Sequence, residues 1–488
     1  YGKPVVWSEA FTGGPAFVNT PRDLKARGDW SLCEGISQFV LHVFIHQPWE
    51  ERRPGVNAGF GTEFNHHNTW FEYAKPWIDY QRRCSVMLQA GKHAADVAYF
   101  IGEDTPKMAG IREPQLPPGH DYDYINADVI ENRLTVKQGR FVLPDGMSYR
   151  LLVLPESATM RPEVLRKIRK LVADGGAVLG PAPQRSPSRK SFPACDAEVK
   201  ELVDALWGRG SVMTGIDLAE AFRRLQVTAD VACPDRILWK HRRDHDTDIY
   251  FLSNQKPQER TEPISFRVNG PAPELWWPDS GKIEAVPFTV KEGRTTVSLH
   301  FDPAGSVFVV FRKTKPASAP QKLELHQVAE VSGPWEVEFP SQRVAFDKLA
   351  SWTEHADPAI KYFSGTATYR RSFDLSQSAL GAPHSATLLE LGTVHAIARV
   401  RVNGQEMGTL WKQPYTVDIS AAVKPVGNTL EIEVVNTWLN RLVGDEQPGV
   451  TNRVTFTTSK ACNAQTPLQS AGLLGPVTVR TGAWVEVK

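Results

Sequence analysis

The sequence predicts a multidomain protein of the α/β plus all-β class, in which an α/β half is followed by an all-β half. Up to about residue 220, continuous apolar strands alternate with amphipathic helices; beyond it, short strands are separated by Gly, Pro and Asp. At ~100–200 residues per domain, 488 residues should form three to four domains. Changes in composition divide the chain into four regions: 1–92, 93–220, 221–315 and 323–488.

The overall composition excludes some classes of partner. Lys and Arg total 56 against 55 for Asp and Glu, a net charge of +1, which argues against nucleic acid because phosphate binding needs a concentrated basic face. No apolar run approaches the roughly 20 residues of a membrane-spanning helix, so no membrane partner is predicted. The five cysteines show no CxxC spacing and are predicted to be mostly buried free thiols.

The first region is predicted to contain two βα units. Strands are expected at 4–8 and 39–45, and helices at 24–38 and 69–91. Apolar strands followed by helices are typical of a parallel sheet buried on both faces, here the C-terminal part of a (β/α)8 barrel. Such a barrel normally takes about 250 residues, so we expect the chain to begin inside that domain.

The second region is predicted to be a doubly wound, amidotransferase-like α/β layer. Its strands are expected at 96–102, 149–155 and 177–181, with an amphipathic helix at 161–176. Amidotransferases place a nucleophilic Cys on the turn after a strand, but here the letters ESA follow the strand that ends at residue 155. We therefore expect this layer to be a scaffold without catalytic function.

The remaining regions are predicted to be β structure. In region 221–315 strands are expected at 248–254, 264–270, 295–301 and 306–312, and the Pro/Ala/Ser-rich stretch 313–322 is predicted to be a linker open to proteolysis. In region 323–488 strands are expected at 366–373, 387–392 and 430–436, with an Asn-Gly hairpin within 398–410. These short strands favour a C-terminal β-sandwich, of jelly-roll type.

Two glutamates are candidate catalytic residues. Glu9 is predicted to lie one residue beyond the first strand, where barrel active sites are built, and Glu63 follows a Gly-rich stretch. Glycoside cleavage needs two carboxylates, one on each side of the scissile bond. The alternative for Glu9 is a loop residue that caps or forms a salt bridge. Glu34 is discounted because it is predicted to lie toward the opposite end of the strands.

Polar and aromatic residues around these glutamates are candidate sugar contacts. They offer hydrogen bonds to hydroxyl groups or flat faces for stacking, and they are Trp7, His46, Gln47, Trp49, Asn65, His66, Asn68 and Trp70. His42 is predicted to be a satisfied core residue. Zinc binding by His66 and His67 with Glu63 is disfavoured, because adjacent side chains are expected to point apart.

The last region carries the segments YRRSF, RVNGQEMG and VVNTWLNRLVGD, which resemble the sugar-binding jelly roll of family 2 glycosidases. Within the third segment, Trp438, Asn440 and Arg441 could contact glycan or pack this domain on its neighbours, and packing is slightly favoured.

The domain order and several long segments together resemble the C-terminal part of glycoside hydrolase family 106, the α-L-rhamnosidases. The segments are SEAFTG, FVLHVFIHQPW, FNHHNTWFEYAKPWIDYQRRCSVMLQAGK, DVAYFIGED, YDYINADVI and LPDGMSYRLLVLP. The resemblance implies inverting removal of terminal rhamnose from glycans, with Glu9 as the base and a general acid from an earlier strand that this chain lacks. We therefore expect the 488-residue chain alone to be inactive. A periplasmic or secreted location is also expected.

The resemblance also implies a calcium ion that helps to hold the hydroxyl groups of the sugar. The candidate ligands are the oxygen-bearing residues nearest the predicted C-terminal ends of the strands, namely Glu63, Asn65 and Asn68. The family pattern has His where Glu63 stands and Arg where His66 or His67 stands, which leaves the sugar specificity open. The alternatives are a β-galactosidase-like enzyme of similar architecture and a noncatalytic glycan-binding fragment. The oligomeric state is not predicted.

Overall fold

The computed structural model describes residues 3–103, 112–313, 319–376 and 385–486. An α/β part precedes a β-rich part, as the sequence predicts. Within the described ranges, no helix is long and apolar enough to cross a membrane. All five cysteines are free, and three of them are buried.

The first region contains two parallel strands, each followed by a helix. Its elements are β1 (Trp7–Ala10), α1 (Pro21–Cys33), β2 (Gln38–Leu41), β3 (Pro54–Gly55), a 3-10 turn (Phe71–Tyr73), α2 (Lys75–Gln89) and β4 (Lys92–His93). Helix α1 begins at a capping box between Thr20 and Asp23, with Pro21 at its first position. Both strands differ from the prediction: β1 extends through Glu9, and β2 ends at Leu41 instead of continuing to residue 45.

The second region is a four-stranded parallel sheet with the order β11-β10-β5-β6, beside a small antiparallel sheet β7-β8-β9. Its elements are β5 (Val97–Phe100), β6 (Tyr122–Ile125), α3 (Ala127–Asn132), β7 (Thr135–Lys137), β8 (Arg140–Val142), β9 (Ser148–Tyr149), β10 (Leu151–Val153), α4 (Pro162–Ala173), β11 (Val178–Leu179), α5 (Ala194–Leu206) and α6 (Leu218–Leu225). Successive residues of β5 and β10 enter two different cores, one with α4 and α5 and one with α6. Helices therefore cover both faces of the sheet.

The third region packs two antiparallel sheets around one core. Its strands are β12 (Val231–Ala232), β13 (Ile237–Asp244), β14 (Thr247–Asn254), β15 (Arg260–Phe266), β16 (Pro273–Trp276), β17 (Ile283–Ala285), β18 (Phe288–Lys291), β19 (Arg294–Phe301) and β20 (Ser306–Phe311). On the outer face of the larger sheet, Phe251 and Phe308 pack against residues of α1 and α2. The β domain thus supports the helices of the first region.

The fourth region is a two-sheet β-sandwich with a single large core. Its elements are β21 (Gln321–Glu330), β22 (Trp335–Phe339), β23 (Gln342–Phe346), a 3-10 turn (Trp352–Glu354), α7 (Pro358–Lys361), β24 (Thr366–Phe373), β25 (Ser385–Glu390), β26 (Thr393–His395), β27 (Ile397–Val402), β28 (Gln405–Leu410), β29 (Thr416–Asp418), β30 (Asn428–Val435), α8 (Leu439–Asp445), β31 (Phe456–Thr457), β32 (Gly472–Gly475) and β33 (Thr478–Glu486). The Asn-Gly turn is confirmed, because Asn403 and Gly404 both have positive φ between β27 and β28.

The predicted linker 313–322 is only partly correct. Residues 314–318 lie outside the described residues, so the predicted cleavage there stays a prediction. Gln321 already begins the ten-residue strand β21, which pairs with β33 along its length. Alternating exposure along β21 shows why Pro and Ala content alone gave the wrong end of the linker.

Candidate functional site

Glu9 lies at the C-terminal end of β1, where its side chain is exposed. The strand pairs in parallel with β2, and Glu9 is opposite Val40. The Thr12 hydroxyl donates a 2.7 Å hydrogen bond to Oε1 of Glu9. Trp7, two residues earlier on the same strand, is 64% exposed. Because side chains two residues apart share one face of a strand, Trp7 and Glu9 lie on the same face of β1.

The chain beyond β2 folds back onto the ends of both strands. The Val43 amide donates to Thr62 O, and the Phe64 amide donates to Val43 O. The Gly61 amide donates to Gly14 O in the loop that follows β1. These bonds place residues 59–64 at the edge that carries Glu9, which we call the rim.

Gln47 stabilises the loop behind the rim. Its side chain is buried, and its amide group exchanges two hydrogen bonds with the backbone of Val56, at 2.7 and 2.8 Å. Gly55 has φ +102°, and a Cβ there would lie 2.0 Å from Oε1 of Gln47. The bridge therefore requires glycine at position 55, and the sugar contact predicted for Gln47 is wrong for a side chain so enclosed.

Glu63 is completely buried, unlike Glu9. Its Oε1 accepts from the Ala58 amide at 3.0 Å, and its Oε2 accepts from Nδ2 of Asn65 at 3.1 Å. Desolvation raises the pKa of the Glu63 carboxyl, and these two hydrogen bonds oppose the rise. Since the carboxylate is enclosed by this chain alone, the prediction that it reaches substrate as a catalytic group is wrong.

The neighbouring amides Asn65 and Asn68 are also buried, and they do not form the predicted calcium site. Oδ1 of Asn65 accepts from the His67 amide at 3.0 Å, and Nδ2 of Asn68 donates to Glu63 O at 2.6 Å. Each of these oxygens accepts one N–H group, and the Asn68 amide turns its nitrogen toward the loop, so the cluster presents fewer oxygens than the six to eight that calcium takes. These three residues do not fit a calcium ion as arranged, and direct sugar contacts by the two amides are excluded by their burial.

Trp70 belongs to the core under the rim. It is 1% exposed, packs against Phe64 and Trp77, and donates its indole N–H to Asn19 O at 3.2 Å. Its predicted role in sugar stacking is therefore wrong. Trp49, by contrast, is 38% exposed, with Phe456 at its edge and the Arg52 guanidinium over its ring.

Two further histidines differ in their surroundings. His46 is exposed, as a sugar contact requires. His42 stacks on Phe60 with a centroid distance of 5.5 Å, but its buried Nδ1 has no hydrogen-bond partner among the described residues. The prediction of a satisfied core histidine is therefore wrong for that atom.

His66 and His67 converge on Glu50 instead of pointing apart. His66 Nε2 lies 3.2 Å from Oε1 of Glu50, and His67 Nε2 lies 3.4 Å from Oε2. The two ring centroids are 4.4 Å apart. Hydrogen bonds from His66 and then His67 lower the pKa of the Glu50 carboxyl. The predicted divergence of adjacent side chains is wrong, because the turn at residues 65–68 directs both rings to one side.

The C-terminal half contacts the same loop. The indole N–H of Trp438 donates to His67 O at 2.7 Å, and β3 pairs with β31. The amide of Asn440 is buried and exchanges hydrogen bonds with Gln469, and Arg441 forms an ion pair with Asp445. The Trp438 bond supports packing of the last region on the first, whereas the contacts of Asn440 and Arg441 stay within the last region.

Comparisons with known proteins agree with this architecture. A sequence-family model of glycoside hydrolase family 106, described as alpha-L-rhamnosidase, matches residues 1–290, more than half of the chain. The chain belongs to glycoside hydrolase family 106. A second model, the glycosyl hydrolase 2 galactose-binding domain-like family, matches residues 350–470 and confirms the predicted likeness of the last region.

Two relatives match almost the whole chain. The rhamnosidase from Novosphingobium sp. PP1Y superposes with a TM-score of 0.88 at 35% identity, covering 98% of this chain and 48% of that one. A protein of Formosa agariphila, provisionally named a beta-glucuronidase, is 27% identical over 98% of this chain and 63% of its own length. The chain therefore spans less than two thirds of either relative.

Glu50 is the residue of this family 106 chain that sequence reasoning missed. It follows Trp49 in the run HQPWEERRPG, where nothing in the spacing relates it to the histidines sixteen residues later. Only the return of the chain onto the rim brings the carboxylate and the two imidazoles together. The Glu-Glu-Arg-Arg pattern gives no signal by itself, because exposed charges are typical of any surface loop.

Proposed function

We propose that the protein to which this chain belongs is an inverting α-L-rhamnosidase and that Glu9 is its general base. The observation that carries the proposal is an exposed carboxylate at the C-terminal end of a parallel strand in a family 106 chain. Active sites of (β/α)8 barrels lie at that end of the strands, and we propose that β1 and β2 belong to such a barrel.

We also propose a jelly-roll topology for the last region and a periplasmic or secreted location.

In the proposed mechanism Glu9 takes a proton from the attacking water. Thr12 donates to Oε1 and thereby fixes the orientation of the carboxylate. No hydrogen bond to Oε2 is found among the described residues, so this oxygen can accept the proton of the attacking water. Inversion needs an acid about 6.5–9.5 Å from the base, on the opposite side of the sugar. We propose that this acid comes from a part of the protein that precedes β1.

Sugar contacts are proposed only for exposed side chains of the rim. Trp7 and Trp49 offer flat faces, and His46 and His66 offer ring nitrogens. A calcium ion that holds sugar hydroxyls remains a proposal taken from the family resemblance.

Glu9→Gln in the full-length protein tests the assignment. The amide keeps the shape of the side chain and removes the base, so kcat on a nitrophenyl α-L-rhamnoside should fall at least about 10²-fold. Glu34→Gln is the matched control, because Glu34 is an exposed glutamate at the end of α1 and precedes β2. A Glu9→Gln enzyme with kcat close to that of Glu34→Gln would refute the role of Glu9.

The sugar and the stereochemistry need separate measurements. A panel of nitrophenyl rhamnoside, galactoside and glucuronide distinguishes the proposed activity from the one in the name of the Formosa relative. NMR of the first-formed product should show the anomer opposite to that of the substrate. Retention of configuration, or turnover of the glucuronide alone, would contradict the proposal.

A further inference from the structure

Glu50, His66 and His67 form the one group of three or more potential metal-binding His, Cys, Asp or Glu side chains within the described ranges. One ligand atom from each lies within 4.8 Å of the others. The group is distinct from Glu9 and from the buried Glu63 cluster. Neither the proposed reaction nor the packing of the core requires two imidazoles to face one exposed carboxylate.

The separations between these atoms suit a small tetrahedral centre. Metal–ligand bonds of about 2.0–2.1 Å at tetrahedral angles place neighbouring ligand atoms about 3.3 Å apart. His66 Nε2 and His67 Nε2 lie 3.2 and 3.4 Å from the nearer oxygens of Glu50. The three ligand atoms lie within 4.8 Å of one another, so side-chain rotations that shorten the longest separation would direct all three groups at one ion.

The donor set selects the class of metal. Two imidazole nitrogens and one carboxylate suit zinc and its neighbours among the divalent transition metals, whereas calcium takes six to eight oxygens. We propose that Glu50, His66 and His67 bind a zinc ion. Its fourth position is open to water, because Glu50 is exposed and the His66 side chain is 43% exposed.

The only simpler explanation for the cluster is an ion pair between Glu50 and protonated histidines. An exposed pair of this kind stabilises a fold only weakly, because water and salt screen the charges, so it does little to orient three side chains. Arg53 is a further cation beside the cluster, at 3.9 Å from Oε2 of Glu50 and beyond hydrogen-bond distance. It lowers the affinity for a cation without occupying the carboxylate.

The ion would fasten the loop that bounds the rim. Glu50 lies at one end of the loop, and the two histidines lie at the other, so that binding closes a loop of about sixteen residues and reduces its freedom. His67 also accepts the indole N–H of Trp438 through its carbonyl oxygen. Zinc would thereby connect the rim loop to the C-terminal half of the chain.

Metal titration of the chelator-treated full-length protein tests the proposal without any activity assay. Calorimetry should show one Zn²⁺ per chain, and Co²⁺ in its place should give the visible absorption of a tetrahedral nitrogen and oxygen site. Removing one ligand by His66→Ala or Glu50→Gln should weaken binding at least about tenfold. Both replaced side chains are exposed, so the variants should keep the wild-type circular dichroism.

His326→Ala is the matched control, because His326 is an exposed histidine of β21. It should bind Zn²⁺ as the wild type does, and excess Ca²⁺ should displace the zinc from neither protein. Equal Zn²⁺ affinity in wild type, His66→Ala and Glu50→Gln would overturn the proposal. Displacement by Ca²⁺, or no binding by the wild type, would overturn it as well.

Discussion

The contrast between Glu63 and Glu9 gives the sharpest prediction about the rim. In Glu63→Ala, the Ala58 amide and the side-chain amide of Asn65 lose the acceptors that they bond at 3.0 and 3.1 Å. Each buried donor left without a partner costs about 1–3 kcal/mol, so the loop should lose at least about 2 kcal/mol of local stability. Glu9→Ala removes an exposed carboxylate, and the Thr12 hydroxyl, which donates to that carboxylate, can donate to water instead.

Hydrogen exchange at the Ala58 amide measures this difference directly. Since about 1.4 kcal/mol corresponds to a factor of ten, the amide should exchange about 30-fold faster or more in Glu63→Ala. Glu9→Ala is the matched control and should leave this rate at the wild-type value. Equal exchange in the two variants would refute the assignment of Glu63 to loop support.

The pH dependence of the same measurement has a definite sign. Burial raises the pKa of folded Glu63 above its usual value, so the folded loop holds this proton more tightly than the unfolded chain does. The stabilisation is present below the unfolded pKa and is lost as pH rises through the folded one. The difference between wild type and Glu63→Ala should therefore grow as pH falls from 7 toward 5, and shrinkage would contradict the reasoning.

Two further predictions concern buried ionic networks. Lys25 and Asp29 form a 2.7 Å ion pair in which both side chains are 1% exposed. Lys25→Met would leave the Asp29 carboxylate buried without its cation, so it should destabilise the chain by about 3–5 kcal/mol in thermal or urea unfolding. A loss below about 1 kcal/mol would contradict a paired buried charge. His241 lies 2.7 Å from Asp230 and 2.9 Å from Asp248, and these carboxylates raise its pKa although burial opposes them. The stabilisation by His241 is fully present below the pKa of histidine in the unfolded chain, about 6.5, and is lost as pH rises through the higher pKa of the folded state. The stability advantage of wild type over His241→Asn should therefore shrink above pH 6.5. A constant difference in stability up to pH 9 would exclude the effect.

Helices and long strands were predictable because their signals are local. The apolar spacing within 161–176 and 366–373 locates α4 and β24 to within a few residues. The end of β1 was not predictable to the residue, because strand ends depend on pairing with β2 and not on composition. The shift matters little to the site, since Glu9 remains at the C-terminal end of the strand.

The roles of polar residues were much harder to predict. The run GFGTEFNHHNTWF looked like an open, sugar-facing loop, yet Glu63, Asn65 and Asn68 are buried and bond to their own loop. A sequence shows which side chains can hydrogen-bond but not whether backbone groups of a folded loop will reach them first. For the same reason the sequence separation between Glu50 and the two histidines did not predict that their side chains meet.

The buried residues that support the loop and the exposed residues of the rim have complementary tasks. The proposed general base, Glu9, must be held within a fraction of an ångström, although it stands on an exposed strand end. Two residues after Glu9, Phe11 turns the chain with φ 69° and packs against Phe39 and Trp77 at centroid distances of 5.4 and 5.8 Å. That aromatic core packs under the end of β1, and the loop that contains Glu63 is hydrogen-bonded to the chain beyond β1 and β2. In the proposed mechanism Trp7 and Glu9 can therefore face substrate without loss of position, because buried residues supply the rigidity.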